Sequence, residues 1–109
     1  MTSKTFTQEF YGRKLTLETV NTWELEEGDT VLNYGCIMIC DAFEDEVTKY
    51  GRTPEHDSKG ARWTTAHVIG HEEGSIPLGW MGKGVNWPTW RIQGNTRAMW
   101  QRVVENVPA

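Results

Sequence analysis

Two pairs of residues carry the side chains that bind zinc in proteins. Cys36-x-x-x-Cys40 supplies two thiols and His67-x-x-x-His71 supplies two imidazoles, and sulfur with nitrogen ligands suits a tetrahedral zinc ion. Both pairs lie among apolar or β-branched residues that favour strands, and four residues of a strand span about 13 Å. Because that distance is too large for one ion, the sequence predicts no metal site and no cofactor. The cysteines are interpreted as small buried residues.

Other residue combinations that could form a catalytic or phosphate-binding site are incomplete. A cysteine could meet His56 or His67 in space, but the apolar segment Ile37-Met38-Ile39 raises a thiol pKa and leaves the thiol unreactive. Acidic pairs such as Asp45-Glu46 are typical of solvated loops. The segment Gly79-x-x-Gly82-x-Gly84 lacks the Gly-Lys-Ser/Thr ending of a phosphate-binding loop. The sequence therefore predicts a protein that is not an enzyme.

Tryptophan is concentrated near the end of the chain, in a stretch that glycines and a proline make mostly loop. Large aromatic side chains are used either in a core or at a recognition surface. We expect a binding surface formed by Trp80, Lys83, Trp87, Trp90 and Arg91. The alternative is that these tryptophans pack over an open end of the fold and close it.

The remaining tryptophans lie in or beside segments that resemble strands. They are Trp23, Trp63 and Trp100, and we expect them in the core or half-buried. Trp63 is placed in the middle of its strand, so the sequence predicts a large loss of stability when alanine replaces it.

Length and charge restrict the class of protein. A chain of 109 residues supports one domain, residues 1–109, with one core. The net charge of −4 argues against non-specific coating of nucleic acid, which needs a basic face. No apolar run reaches the roughly 20 residues that span a bilayer. The first residues show no apolar segment behind a basic start, so a cytoplasmic location is expected.

The order of apolar runs and turns predicts a β protein. Residues 4–20 are expected to form an N-terminal hairpin and residues 25–104 a barrel. Gly35 is either a tight turn or a bulge, and the strand that follows it, residues 36–40, is apolar on both faces and therefore central. Residues 41–60 and 71–88 are expected to be long loops. One helical turn at 96–98 precedes a last strand, with a helix over 96–105 as the alternative.

This pattern is similar to a small SH3-like, partly open barrel with an extra N-terminal hairpin and long loops. Two motifs, Leu25-x-x-Gly28-Asp29-x-Val31 and Trp90-x-Ile92-Gln93-Gly94-Asn95-x-x-Ala98-x-Trp100, resemble small uncharacterised proteins of bacteriophages that infect actinobacteria. The resemblance covers residues 25–104. It implies a phage origin and a small β fold, and it implies no activity and no functional residue.

We therefore expect a non-enzymatic phage protein that binds a host protein in the cytoplasm of the infected cell. The alternative is a binder of a small molecule or nucleotide that sequesters a host signal. Binding of single-stranded nucleic acid by base stacking is disfavoured by the net charge. A basic pocket beside the tryptophans would favour a nucleotide, and a flat apolar patch would favour a protein.

Overall fold

The computed structural model describes residues 4–10, 12–51, 60–71, 79–80 and 89–108. Within these residues the strands are β1 (Thr5–Phe10), β2 (Arg13–Asn21), β3 (Thr30–Asn33), β4 (Cys36–Cys40), β5 (Glu44–Asp45), β6 (Arg62–His71), β7 (Gly79–Trp80), β8 (Thr89–Gly94) and β9 (Met99–Pro108). A short 3-10 helix (Thr22–Glu24) follows β2, and one α-helix, α1 (Glu46–Tyr50), follows β5.

The strands form one antiparallel sheet that does not close. Their order is β1-β2-β9-β3-β4-β6-β5, and β7 and β8 also pair with β6. The hairpin of β1 and β2 has Phe10 opposite Arg13, and β2 then pairs along its whole length with β9. The mainly β fold, its partly open form and the additional N-terminal hairpin are all confirmed.

The sheet is covered on both faces by apolar side chains. One cluster fills the concave side, and its members are Val20, Leu25, Val31, Cys36, Met38, Cys40, Ala66, Val68, Ile92 and Trp100. The second cluster lies on the opposite side and contains Phe10, Leu15, Leu17, Leu32 and Ile37. Successive residues of a strand point to opposite faces, so β3 and β4 contribute to both clusters. This confirms that the apolar run at 36–40 is a central strand.

A capped turn connects the hairpin to the concave cluster. The Asn21 side chain accepts hydrogen bonds from the backbone N–H groups of Trp23 (2.9 Å) and Glu24 (3.2 Å), and the Glu24 carboxylate accepts from the Asn21 N–H. This reciprocal arrangement stabilises the start of a helical turn. It directs Thr22 into the interior, where its hydroxyl accepts a hydrogen bond from Trp100 Nε1 at 2.9 Å.

Three predicted segments differ in the structure. Within the expected loop at 71–88, His71 ends β6 and Gly79–Trp80 forms β7. Part of the expected loop at 41–60 forms β5 and α1, because Asp45 caps the helix through Thr48 N–H (2.7 Å) and Gly51 ends it with φ 65°. At the end of the chain, residues 96 and 97 form a turn and β9 is a strand, so the alternative of a helix over 96–105 is wrong. Pairing with β2 and β3 outweighs the helix propensity of the residues in β9.

No helix in the described ranges is both long enough and apolar enough to cross a membrane.

Candidate functional site

The cysteines lie on β4 with both side chains buried in the concave cluster. His67 lies on the next strand opposite Ile39, so its side chain points to the other face of the sheet. A Cys–His pair therefore cannot form between Cys40 and His67. The described residues also contain no group of three or more potential metal ligands. His56 and the side chain of His71 lie outside the described part.

Burial suppresses the reactivity of both thiols. It raises the pKa of Cys36, and it raises the pKa of Cys40 to about 12, with a further contribution from the negative charge of Asp29. A thiol must lose its proton to act as a nucleophile. Cys36 and Cys40 are therefore structural core residues, as the sequence indicated.

We expect neither thiol to react with dithionitrobenzoate in the folded protein at mildly alkaline pH. Both thiols should react after unfolding in guanidinium chloride, because only unfolding exposes them and returns each pKa to its usual range. Absorbance of the released thiolate measures this directly. Rapid labelling of one thiol in the folded protein would contradict the burial of that side chain.

The residues of the expected tryptophan surface are separated by the alternation of β8. Trp90 lies opposite Ala66 and so shares the concave face with the buried Ile92. Arg91 points to the other face, where its guanidinium carbon lies 5.7 Å from the centre of the Trp63 ring. These two side chains therefore do not form one site. Trp80 lies in β7 opposite Gly70, but its side chain is outside the described part, as are residues Lys83 and Trp87.

A tight turn brings a second aromatic residue to Trp90. Tyr34 and Gly35 join β3 to β4, and both have positive φ, 55° and 70° respectively. Two such residues between paired strands form a type I′ turn, which favours Asn-Gly. Tyr34 is the single non-glycine residue with positive φ in the described part of the chain. That conformation costs a β-carbon-bearing residue roughly 1–2 kcal/mol.

Tyr34 and Trp90 form an exposed aromatic surface, which we call the Tyr34–Trp90 patch. Their ring centres are 5.6 Å apart and their planes differ by 23°, an offset-stacked geometry. The buried Trp100 ring contacts the Tyr34 ring in a T-shaped arrangement, with ring centres 6.2 Å apart and planes at 81°. Tyr34 is nevertheless 69% exposed and Trp90 is 41% exposed. The two rings are thus accessible to a partner while Tyr34 also contacts the core.

A second aromatic group lies on the outer face of β6. Trp63 is half-buried there and its ring centre is 6.3 Å from that of Tyr50 in α1. The Lys49 ammonium is 5.8 Å from the Trp63 ring centre. Glu44 accepts hydrogen bonds from Trp63 Nε1 (2.9 Å) and Lys49 (3.3 Å), and these bonds lower the pKa of Glu44. The half-buried position of Trp63 agrees with the expectation of a core or half-buried residue, and it lies outside both apolar clusters.

The polar groups of this outer-face cluster are already paired with one another. Glu44 accepts from both donors, and Arg91 stacks on Trp63 while its Nε donates to Gln93 at 2.7 Å. A cavity of about 240 Å³ beside it is lined by Phe43, Glu44, Asp45, Thr48 and Lys49. The contacts hold α1 against β6. The cluster is therefore better explained as a set of contacts that stabilises the position of α1 than as a recognition surface.

Of the two residues in the Tyr34–Trp90 patch, the sequence predicts Trp90 as a binding residue but does not predict Tyr34. The available signal was the dipeptide Tyr34-Gly35 between two apolar runs, which predicts a tight turn but does not show that the tyrosine meets Trp90. Trp90 lies 56 positions further along the chain, in a strand that pairs with β6 and with neither β3 nor β4. The patch thus depends on tertiary structure.

Comparison of the chain with protein families, with curated proteins and with solved structures finds no match.

Proposed function

We infer that this protein acts by binding another protein, without catalysis of its own, and that the Tyr34–Trp90 patch is the centre of the contact surface. The observation that supports this is an exposed, stacked tyrosine–tryptophan pair whose tyrosine also contacts the buried Trp100. Tyrosine and tryptophan are the residues most enriched among those that dominate binding energy at protein interfaces. Their rings supply a large contact area at little conformational cost.

The conformation of Tyr34 is a second argument. Asparagine would fit its left-handed position without the cost that tyrosine pays there. Residues held in disfavoured backbone conformations concentrate at functional sites. A tyrosine at this turn is therefore explained better by contact of its ring with a partner than by the conformation that the turn requires.

The chemistry of the surroundings favours a protein over a nucleotide. The patch presents ring faces. Of the two cations expected beside the tryptophans, Arg91 lies on the opposite face of β8, and Lys83 lies outside the described residues. Nucleotide binding needs a positive group near the phosphates, whereas an exposed apolar patch is typical of protein interfaces. By the resemblance to actinobacteriophage proteins, the proposed partner is a protein of the host, met in the host cytoplasm.

The test compares Tyr34→Asn with Tyr50→Ala. We expect the wild-type protein and Tyr50→Ala to capture the same protein from actinobacterial lysate, and Tyr34→Asn to bind it at least tenfold more weakly. A loss of about 2 kcal/mol or more is typical for an aromatic anchor of an interface. The dissociation constants are measured with the purified partner by isothermal titration calorimetry.

Tyr34→Asn separates binding from folding. It removes the ring but leaves Asn-Gly, the preferred pair for this turn, so relief of strain offsets the lost stacking and stability should change by about 1 kcal/mol or less. Tyr50→Ala removes another exposed tyrosine, 58% exposed against 69% for Tyr34, from the outer-face cluster. Unchanged affinity of Tyr34→Asn would overturn the proposal. Binding of a nucleotide that requires Tyr34, seen by tryptophan fluorescence, would replace the protein partner with a small molecule.

A further inference from the structure

β1 is the outer edge of the described sheet. It pairs with β2 along one side, and its other side faces none of the described strands. The side chains from Thr5 to Glu9 are exposed on both faces of the strand. Such an edge presents unpaired N–H and C=O groups that another strand can bind.

The register of the hairpin shows which backbone groups face outward. Phe10 and Arg13 are opposite each other with two residues between them, and in a two-residue hairpin this closing pair bonds directly. Bonding alternates along an antiparallel strand. Phe6 and Gln8 therefore direct their N–H and C=O groups toward β2, whereas Thr5 and Thr7 direct theirs outward.

We propose that β1 pairs antiparallel with β1 of a second copy of the chain, with Phe6 on the two-fold axis. Opposing residues in an antiparallel pair must both face the neighbouring strand or both face away from it. That condition allows the register in which Thr5 lies opposite Thr7 of the second copy and Phe6 lies opposite Phe6. At the two places where Thr5 of one copy lies opposite Thr7 of the other, the outward-facing N–H and C=O groups then form hydrogen bonds between the copies.

The sequence of β1 is complementary to itself in this register. Phe6 is 44% exposed in the isolated chain, and an aromatic pair on the axis would cover both rings. Thr–Thr and aromatic cross-strand pairs are each favourable. Lys4 meets the neutral Gln8, and the two Glu9 carboxylates lie roughly 20 Å apart along the strands. No like charges oppose each other.

The two neighbouring allowed registers are less favourable. One centres on Thr5 and places Lys4 opposite Phe6. The other centres on Thr7, so Phe6 lies opposite Gln8 and Thr5 lies opposite Glu9. Both arrangements leave each phenylalanine beside a polar side chain. Self-pairing through Phe6 removes more apolar surface from water, and this selects the register centred on Phe6 for pairing with a second copy.

Sedimentation equilibrium tests the association. We expect the wild-type chain, of 12.5 kDa, to approach twice that mass as its concentration rises. Phe6→Lys should raise the dissociation constant at least tenfold, because it places two ammonium groups together on the axis. Val104→Lys, at a residue of similar exposure (47%) within β9, is the matched control and should remain dimeric. A wild-type chain that stays monomeric at millimolar concentration overturns the proposal.

Cysteine cross-linking tests the register. A non-hydrogen-bonded antiparallel pair has its Cα atoms about 4.5 Å apart, which permits a disulfide. Phe6→Cys should therefore form a covalent dimer when copper phenanthroline oxidises the two thiols. Gln8→Cys places its two thiols about 13 Å apart along the strands and should not. Equal cross-linking of the two variants, or none by Phe6→Cys, contradicts pairing through Phe6.

Discussion

Replacement of Trp100 by alanine is expected to lower the free energy of unfolding by about 3–5 kcal/mol. Trp100 is 5% exposed and packs in the concave cluster, where it also supports the Tyr34 ring. Its Nε1 donates to the hydroxyl of Thr22, a residue with no exposed surface. Alanine leaves a cavity and removes a donor from this buried hydroxyl. Urea denaturation followed by circular dichroism measures the loss.

Two controls separate the contributions to this effect. Trp100→Phe keeps most of the ring but removes the donor, so its cost should be about 1–3 kcal/mol. Trp63→Ala removes a tryptophan from the outer face of β6, where alanine opens no cavity in either apolar cluster, and should cost clearly less than Trp100→Ala. If Trp63→Ala were the more damaging variant, the assignment of Trp100 to the core and of Trp63 to the surface would be wrong.

The substitution Gly94→Ala is expected to lower the free energy of unfolding by about 1–3 kcal/mol through overpacking. Gly94 ends β8 opposite Arg62. A Cβ at this position would overlap the Cβ of Ala98 and would lie 2.8 Å from Thr22 Oγ1. The backbone there cannot move freely, because Thr22 N–H donates to the Ala98 carbonyl at 3.1 Å. Thermal and urea denaturation both report the change.

A second substitution identifies the clash as the cause. In Gly94→Ala/Ala98→Gly the methyl group is moved from one side of the contact to the other, so the double variant should be more stable than the sum of the two single effects predicts. Interaction energies of about 0.5–3 kcal/mol are typical for residues in contact. Strict additivity would mean that Gly94 is needed for another reason.

Much of the fold follows from local patterns. Leu15 and Leu17 alternate with polar residues and predict a strand with one buried face, and the run from Cys36 to Cys40 predicts a strand buried on both faces. Gly35, one position before that run, predicts either a tight turn or a bulge, and the structure has the turn. The short helix α1 was missed although Asp45 and Gly51 are capping residues, because five helical residues produce no apolar periodicity that a sequence pattern can show.

The candidate site was predicted only in part. Trp90 was identified from its type and its neighbours, and Tyr34 was not. Trp90 and Arg91 are adjacent in sequence and of types that often cooperate in binding, yet a strand directs successive side chains to opposite faces. The assignment of β8 as a strand is therefore enough to place Trp90 and Arg91 on opposite faces. It does not show which side chains of other elements each of them contacts.

The amino-acid sequence by itself determined the class of fold, the N-terminal hairpin, the central strand and the inert character of the two cysteines. Each of these depends on a period or an environment within a few residues. Only the tertiary structure decided which tryptophan is buried, that Tyr34 lies on Trp90, and that β1 is the outermost of the described strands on its side of the sheet. These features depend on which strands pair and how the sheet curves, and that choice is made by the burial of all apolar faces together.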